Sequence, residues 1–450
     1  MLIRQLLALF CSINTGVIMS IVNKVKIAVQ NPVYQSVGKY VFTNFFSKGI
    51  SFILIPLFTN PKFLTPTDNG ILSLFASNMI LMAPFISLGM IQSSTADYFK
   101  KTKEDFAASF TSNFFIAAIM TLLAIVSLFI FKDALWEKFG LPTSFIFIIP
   151  GLAFLVFCSE QLFALVRNRN EVNGYAIIGI SKSLIEYALS VILIVFFFTG
   201  WMGRIWGIAI SLIAVNLFAV WYYVKKDYLH FSFHKQQVWD ELKFGVPIFV
   251  FQLCVFMLGT TNKLFLAIFN VDKYELGIYA IACILGTMVG TMAQSILLYV
   301  QPQLYKSISS GVATRQSVKH LFFNYIKMLT VLSLLCMGIA VFAYYFLINK
   351  IYLPGMKYFF VVALASFIWA LNYFVFLFLL YHKEKRKIFK AGLISVVTSI
   401  VINTFMVKYF LIWGDALSSL INTVIFSGLV IFFTKKIITT TLSKHATATV

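Results

Sequence analysis

The sequence predicts an all-α polytopic membrane protein: twelve transmembrane helices in two six-helix lobes, related by a pseudo-two-fold axis along the membrane normal. Three observations predict it. Of the 450 residues, 60% are hydrophobic and only 12% are charged, and a soluble chain of this length cannot hide so much apolar surface. Apolar stretches of the ~20 residues needed to cross a bilayer recur along nearly the whole chain. A short motif from the first half then returns at a fixed offset in the second.

The expected spans fall at 39–59, 70–94, 107–131, 143–165, 174–198, 203–224, 244–269, 277–301, 319–347, 357–381, 389–411 and 414–434. Ahead of them, residues 1–32 form an N-terminal cytoplasmic or interfacial segment. Its apolar part, "LLALFCSINTGVIM", is too short to span and lacks a small-residue cleavage site, and the start is open between Met1 and Met19. Spans 1–6 make an N-lobe over 33–224, and spans 7–12 a C-lobe over 244–434. The longest polar interruption, "KKDYLHFSFHKQQVWDELK" at 225–243, is the cytoplasmic linker, and 435–450 is a cytoplasmic tail.

Orientation follows from Lys and Arg. With the N-terminus in the cytoplasm, 24 of the 36 lie on the cytoplasmic side, 8 on the opposite side, and Lys48, Lys182, Lys263 and Lys327 within spans. Such a bias over short loops is the positive-inside signal and places both termini in the cytoplasm. The net charge of +20 then faces anionic headgroups, so it calls for the lipid bilayer and no nucleic acid.

The five cysteines have no metal-type spacing and read as small apolar residues. His230 and His234 are four apart but have no third ligand near them, so no metal is expected. The chain has no phosphate-binding Gly-x-x-x-x-Gly-Lys-Ser/Thr loop and no cofactor motif. Its loops are too short to hold a catalytic domain. These observations exclude an ATPase, disfavour an enzyme and leave transport.

The repeat is carried by "TDNGILSLFAS" at 67–77 and "YELGIYAIACI" at 274–284. The pattern acid-x-Gly-Ile matches at an offset of 207, with Asp68 over Glu275 and Gly70 over Gly277. Both copies open an even-numbered span, so the halves share one orientation. In parallel repeats of this kind the substrate site lies between the halves.

Polar residues inside spans mark candidate cavity positions, because a polar stripe must face protein or water rather than lipid tails. Span 1 carries Asn44, Ser47, Lys48 and Ser51 at helical spacing; span 7 carries Gln252, Asn262 and Lys263; span 8 carries Thr287, Thr291 and Gln294. A lysine at mid-bilayer costs about 2.5–3.5 kcal/mol on insertion scales, so Lys48 and Lys263 are expected to face one cavity, one from each lobe. The competing reading pairs them with a buried acid. Only Glu160 and Glu186 are read as lying within spans, and Lys182 is four residues before Glu186, where an ion pair forms readily. Glu160, Lys182 and Glu186 are therefore structural pair or coupling residues. Prolines 56, 84, 150 and 247 bend spans, and the 50 phenylalanines are read as packing.

"NFFSKGISFILIPLFTN" followed by "TDNGILSLFAS", and "FGVPIFVFQLCVFMLGTTNKLFLAIFN" followed by "ELGIYAIA", together with "VQPQLYKS" at 300–307, resemble the polysaccharide biosynthesis export proteins. These O-antigen flippases are part of the multidrug/oligosaccharidyl-lipid/polysaccharide exporter superfamily. The resemblance runs from about residue 33 over most of the chain. It implies a flippase in the bacterial cytoplasmic (inner) membrane. Its cargo would be an undecaprenyl-pyrophosphate-linked oligosaccharide, an O-antigen or other surface-polysaccharide repeat unit bound for lipopolysaccharide. It also implies a coupling ion, proton or sodium, and polymerase and chain-length proteins as pathway partners. Relatives commonly carry Asp-Arg where this chain has Asn262-Lys263, so the cation is kept and the acid lost. A cationic cavity fits a pyrophosphate, and Asn, Gln, Ser and Thr fit sugars. Two other readings are a multidrug or small-cation exporter of the same superfamily and a membrane-embedded polysaccharide polymerase.

Overall fold

A computed structural model describes residues 49–99, 101–133, 144–229, 262–309, 314–382 and 384–444, with isolated positions at 43, 46, 142, 239, 242, 243, 245, 249, 252 and 253. Among them the secondary structure is helical. In chain order the helices are α1 Ile55–Phe58, α2 Pro66–Ser87, α3 Met90–Tyr98, α4 Lys103–Ile130, α5 Phe145–Asn168, α6 Val172–Val195 and α7 Trp201–Lys225. There follow α8 Asn262–Ile268, α9 Lys273–Ser309, α10 Arg315–Phe346, a 3₁₀ turn Lys350–Gly355, α11 Met356–Tyr381 and α12 Lys385–Lys444. Nine of the described helices are long and apolar enough to cross a bilayer. The chain is an all-α polytopic membrane protein. Of expected span 1 the described residues are 43, 46 and 49–59, and of expected span 7 they are 245, 249, 252, 253 and 262–269.

Two expected spans, 389–411 and 414–434, appear as the single 60-residue helix α12. At 1.5 Å per residue that is about 90 Å, roughly three hydrocarbon thicknesses. Leu411 breaks it, with φ 49° and ψ −125°. Gly414 lets the returning chain press on the Met406 carbonyl, where a Cβ would not fit. Asn422 Nδ2 then donates to Asn403 Oδ1 and to Ser399 Oγ, each at 3.1 Å, so the two arms run side by side as two spans.

The helix starts are written in the sequence. Thr65 caps α2: its Oγ1 accepts from Asp68 N at 3.2 Å, and Asp68 Oδ2 accepts from Thr65 N at 2.8 Å. Thr102 caps α4 through Asp105 N, and Thr314 caps α10 through Ser317 N. The acid of the repeat motif is thus a first-turn residue in both copies, Asp68 in α2 and Glu275 in α9, where the helix dipole favours it.

The motif's glycine has a different duty. A Cβ on Gly70 would fall on the Lys273 carbonyl, and one on Gly277 would fall on the Pro66 carbonyl and lie 3.0 Å from Gly70 N. Lys273 and Pro66 are themselves 207 apart. The contact is reciprocal: each copy presents the same backbone to the other, as two-fold-related repeats do. Around it one apolar cluster joins Leu74, Phe75 and Phe145 to Leu276, Tyr279 and Ile281. At this end the described parts of the two halves share one apolar core.

The opposite end is charged. Asp97 pairs with Lys101 at 2.7 Å, and Arg169 with Glu171 at 2.6 Å. Arg169 also donates to Tyr228 Oη at 2.8 Å, and Tyr222 Oη donates to Glu171 at 2.9 Å. Burial pushes the Glu171 carboxyl up, but the hydrogen bonds from Arg169 and Tyr222 outweigh it and hold it below its ordinary value.

Candidate functional site

Between the two ends, α2 and α9 part around a cavity of about 580 Å³. Its first wall comes from the N-terminal half: Ile80, Ala83, Pro84 and Ser87 of α2, Ile91 of α3, and Ala153, Val156, Phe157 and Glu160 of α5. Its second wall comes from the C-terminal half: Gln252, then Thr287, Gly290, Thr291 and Gln294 of α9, Val362, Ala365, Ser366 and Trp369 of α11, and Ser419 and Thr423 of α12.

The two walls are built from equivalent positions. Ile80, Ala83, Pro84 and Ser87 stand 207 residues before Thr287, Gly290, Thr291 and Gln294, the offset already set by Gly70 and Gly277. Ala153, Val156, Phe157 and Glu160 stand 209 residues before Val362, Ala365, Ser366 and Trp369. Each set has the i, i+3, i+4, i+7 spacing of one helix face. The second copy therefore places its cavity residues as the first does, after a two-residue insertion. The chemistry differs. The α2 face reads Ile, Ala, Pro, Ser and its α9 counterpart Thr, Gly, Thr, Gln.

The hydrogen-bonding state of this lining favours acceptors. Thr287 Oγ1 donates to the Cys283 carbonyl at 2.8 Å, Thr291 Oγ1 to Met288 at 2.8 Å, and Thr423 Oγ1 to Ser419 at 2.8 Å. Their protons are spent on their own helices, which leaves lone pairs for the cavity. Gln252 Oε1 is buried without a hydrogen-bond partner. Among the described residues Glu160 has no ion pair, and no lining residue is a cation.

Of the residues expected from the sequence, Gln252, Thr287, Thr291, Gln294 and Glu160 meet in this cavity. Ser51 is half-buried and does not line it. Asn44, Ser47 and Lys48 lie outside the described residues, as does the side chain of Asn262, whose backbone opens α8.

Three expectations are corrected. Lys263 does not line the cavity; it acts electrostatically on Asp415, a residue of α12 that is 1% exposed, and on Cys283. The repeat offset explains this, because Lys263 minus 207 is Pro56 and Lys48 plus 207 is Val255. The two lysines are not equivalent positions. Asp415, one residue inside an expected span, is a third intramembrane acid, and the field of Lys263 offsets part of the cost of burying its carboxylate.

Glu186 does not pair with Lys182 either. Its Oε1 accepts from Arg204 Nη2 of α7 at 2.6 Å, while Arg204 Nη1 donates to Ser190 Oγ at 3.0 Å and the guanidinium stacks 4.4 Å from the Tyr187 ring centroid. Gly207 makes this possible by letting α7 approach Ser190 closely. A Lys-to-Glu pair at i, i+4 is the weaker orientation on a helix, whereas the planar Arg fork binds the carboxylate and stacks at once. Lys182 instead sits 5.9 Å from the Phe163 ring.

The sequence reading did not single out Phe157 and Trp369, the α2 face, or the hydroxyl residues Ser366, Ser419 and Thr423. For α2 and Trp369 the signal was present: subtracting 207 from the α9 positions names the α2 face, and adding 209 to Glu160 names Trp369.

Solved structures share this fold. An inward-facing multidrug resistance MATE-family transporter of the MOP superfamily superposes with a TM-score of 0.66 at 14% identity, over 89% of this chain and 96% of that one. An outward-facing multidrug resistance MATE-family transporter of the MOP superfamily gives 0.61 at 13% identity, over 92% of this chain and 98% of that one. The lipid II flippase MurJ in an inward closed conformation gives 0.70 at 14% identity, over 90% of each chain. No curated protein is significantly similar in sequence. The profile of the polysaccharide biosynthesis proteins matches residues 33–301, more than half of the chain and through the end of the α9 cavity face. This protein belongs to the polysaccharide biosynthesis protein family.

Proposed function

We propose that this protein is a flippase that carries an undecaprenyl-pyrophosphate-linked oligosaccharide, a repeat unit of O-antigen or another surface polysaccharide, across the bacterial inner membrane. The cavity between equivalent helices of the two halves, closed at the Gly70–Gly277 end, supports this reading best. Rocking the halves about such a site exposes it to one side and then the other. The hydrogen-bonding wall of Gln252, Thr287, Thr291 and Gln294 suits sugars, and the polyprenyl chain stays in lipid. Lys48 is the residue we assign to the pyrophosphate, since a cation offsets its charge in the bilayer. Positive-inside bias assigns the end bearing Lys101, Lys103, Arg169 and Lys225 to the cytoplasm, and with it both termini. The test is depletion of the protein followed by analysis of lipid-linked glycan. Accumulation of that glycan in the cytoplasmic leaflet is expected, and unchanged surface glycan overturns the reading.

A second reading is favoured by one observation. An unpaired Glu160 in a cavity that Phe157 and Trp369 also line suits an organic cation, as in a multidrug exporter. Cells lacking the protein then become sensitive to cationic dyes and keep normal surface glycan, the reverse of the flippase result.

A further inference from the structure

Resting on the flippase reading, we propose that Glu160 and Trp369 form a saccharide subsite, in which the indole packs on a sugar ring and the carboxylate accepts its hydroxyls. The two residues are equivalents in the repeat, 209 apart, and they face one cavity from opposite halves. Each has been given one part of a sugar site.

Trp369 is half-buried and held in place from behind. Phe426 stacks on it with ring centroids 5.2 Å apart and planes 20° apart, and Phe426 is itself braced by Phe376 at 6.4 Å. One indole face is thus occupied and the remaining surface borders the cavity. A fixed aromatic surface offers an apolar, polarisable face to the C–H groups of a pyranose with little loss of side-chain freedom.

Glu160 supplies what the indole cannot. Among the described residues it has neither ion pair nor hydrogen-bond partner, and the lining around it holds no cation. The threonine hydroxyls have donated to their own helices, and Gln252 Oε1 is buried and unpaired. The carboxylate and these lone pairs accept from a ligand that carries donors. A polyol is such a ligand, and two neighbouring hydroxyls match the two oxygens of a carboxylate. A pyrophosphate only accepts and is repelled here, so this subsite takes the sugar while the phosphates are held elsewhere. Because a bound sugar touches both halves, it can report its presence to the element that must rock.

The test uses the full-length protein in lipid nanodiscs and, as probe, the oligosaccharide released by mild acid from the cell's own lipid-linked pool. The probe should change tryptophan fluorescence in the wild-type protein, and the change should vanish in Trp369→Phe. In cells, Glu160→Ala should slow export about ten-fold or more, while Glu160→Gln, which keeps an acceptor oxygen, should retain a measurable fraction. Trp369→Phe should lose roughly three- to ten-fold and Trp369→Ala more, at wild-type membrane levels. Tetraphenylphosphonium is the rival probe. Its binding, if lost equally in Glu160→Gln and Glu160→Ala, overturns the saccharide site in favour of a cation site. Absence of probe binding, or full export by both Glu160→Ala and Trp369→Ala, also overturns it. If depletion traps glycan but these variants export normally, only this subsite fails. If depletion traps none, the flippase reading fails first.

Discussion

The same two helices, α2 and α9, meet in two ways. At Gly70 and Gly277 they touch backbone to backbone, with the same residue on both sides. Ten residues on, at Ile80 and Thr287, they frame a cavity whose two faces occupy the same positions but no longer match in chemistry. At 1.5 Å per residue the two regions are about 15 Å apart. The difference separates two kinds of constraint. A contact between repeats about a two-fold asks the same thing of both copies, so both keep glycine. A cargo with a sugar end and a lipid end has no two-fold, so the walls that face it have diverged. The charged residues sort in the same way: Glu186 has a cationic partner away from the cavity, Asp415 lies in the field of Lys263, and Glu160, inside the cavity, has no ion pair among the described residues.

The largest effect is expected from breaking the glycine contact. Gly277→Val places a side chain on the Pro66 carbonyl and against Gly70 N, so the halves cannot close at that end. Transport should be abolished while the protein still inserts. In a Thr291→Cys background, a membrane-impermeant thiol reagent should then reach the cavity from the Gly70 side. Unchanged labelling would show that this contact is not the closure. Gly70→Val should behave alike, because the contact is reciprocal.

Next come the paired charges. Lys263→Ala removes the cation whose field acts on the buried Asp415, and the carboxyl then takes up a proton, so the cost stays below the ~3–5 kcal/mol of breaking a direct buried ion pair. Folded protein recovered in detergent should fall, and Lys263→Ala with Asp415→Asn should recover most of it. Equal loss in the single and double variants would remove the pair. Glu186 offers the same experiment in the other half. Arg204→Ala should be more damaging than Lys182→Ala, for which about 0.5 kcal/mol or less is expected. A larger loss from Lys182→Ala would reinstate the pairing along α6.

Much of this was legible in the sequence. Composition and span length set the fold class, and the acid-x-Gly-Ile echo marked the two residues that meet between the halves. Polar residues at helical spacing found Gln252, Thr287, Thr291 and Gln294, because polarity inside a span is costly and has few explanations. Asp415 was missed because it sits one residue from a span edge, where a carboxylate can reach water; the turn at Leu411 and the packing of α12 on its neighbours, with Tyr279 of α9 against the carboxyl, bury it. Arg204, one residue inside the expected span 203–224, reads as a loop cation for the same reason. Trp369 and Phe157 were invisible among 50 phenylalanines and seven tryptophans, since an aromatic in a membrane helix ordinarily faces lipid or packs. The apolar α2 face carries no polarity to detect. Its only sequence signature is its offset from α9.

The smallest effect sharpens the comparison at its tight end. Asn69, beside Gly70, donates through Nδ2 to the Phe58 carbonyl at 2.8 Å and to Tyr352 Oη at 2.7 Å, with the Thr65 carbonyl 3.3 Å away. Its counterpart 207 residues on is Leu276, so here the two copies differ even within the symmetric contact. Tyr352 is 0% exposed, so bulk water does not reach its hydroxyl. Asn69 nevertheless keeps two carbonyl acceptors. Tyr352→Phe should therefore cost only about 1 kcal/mol, read as a small fall in thermal stability in detergent with transport nearly unchanged. Asn69→Leu, which makes this position resemble its counterpart, should cost more, because the Phe58 carbonyl loses its donor near the start of α2. Added to Asn69→Leu, Tyr352→Phe should then cost less than it does alone, since its hydroxyl no longer has Asn69 to meet. If the two changes add in full, Asn69 and Tyr352 are independent and the bond between the halves contributes nothing.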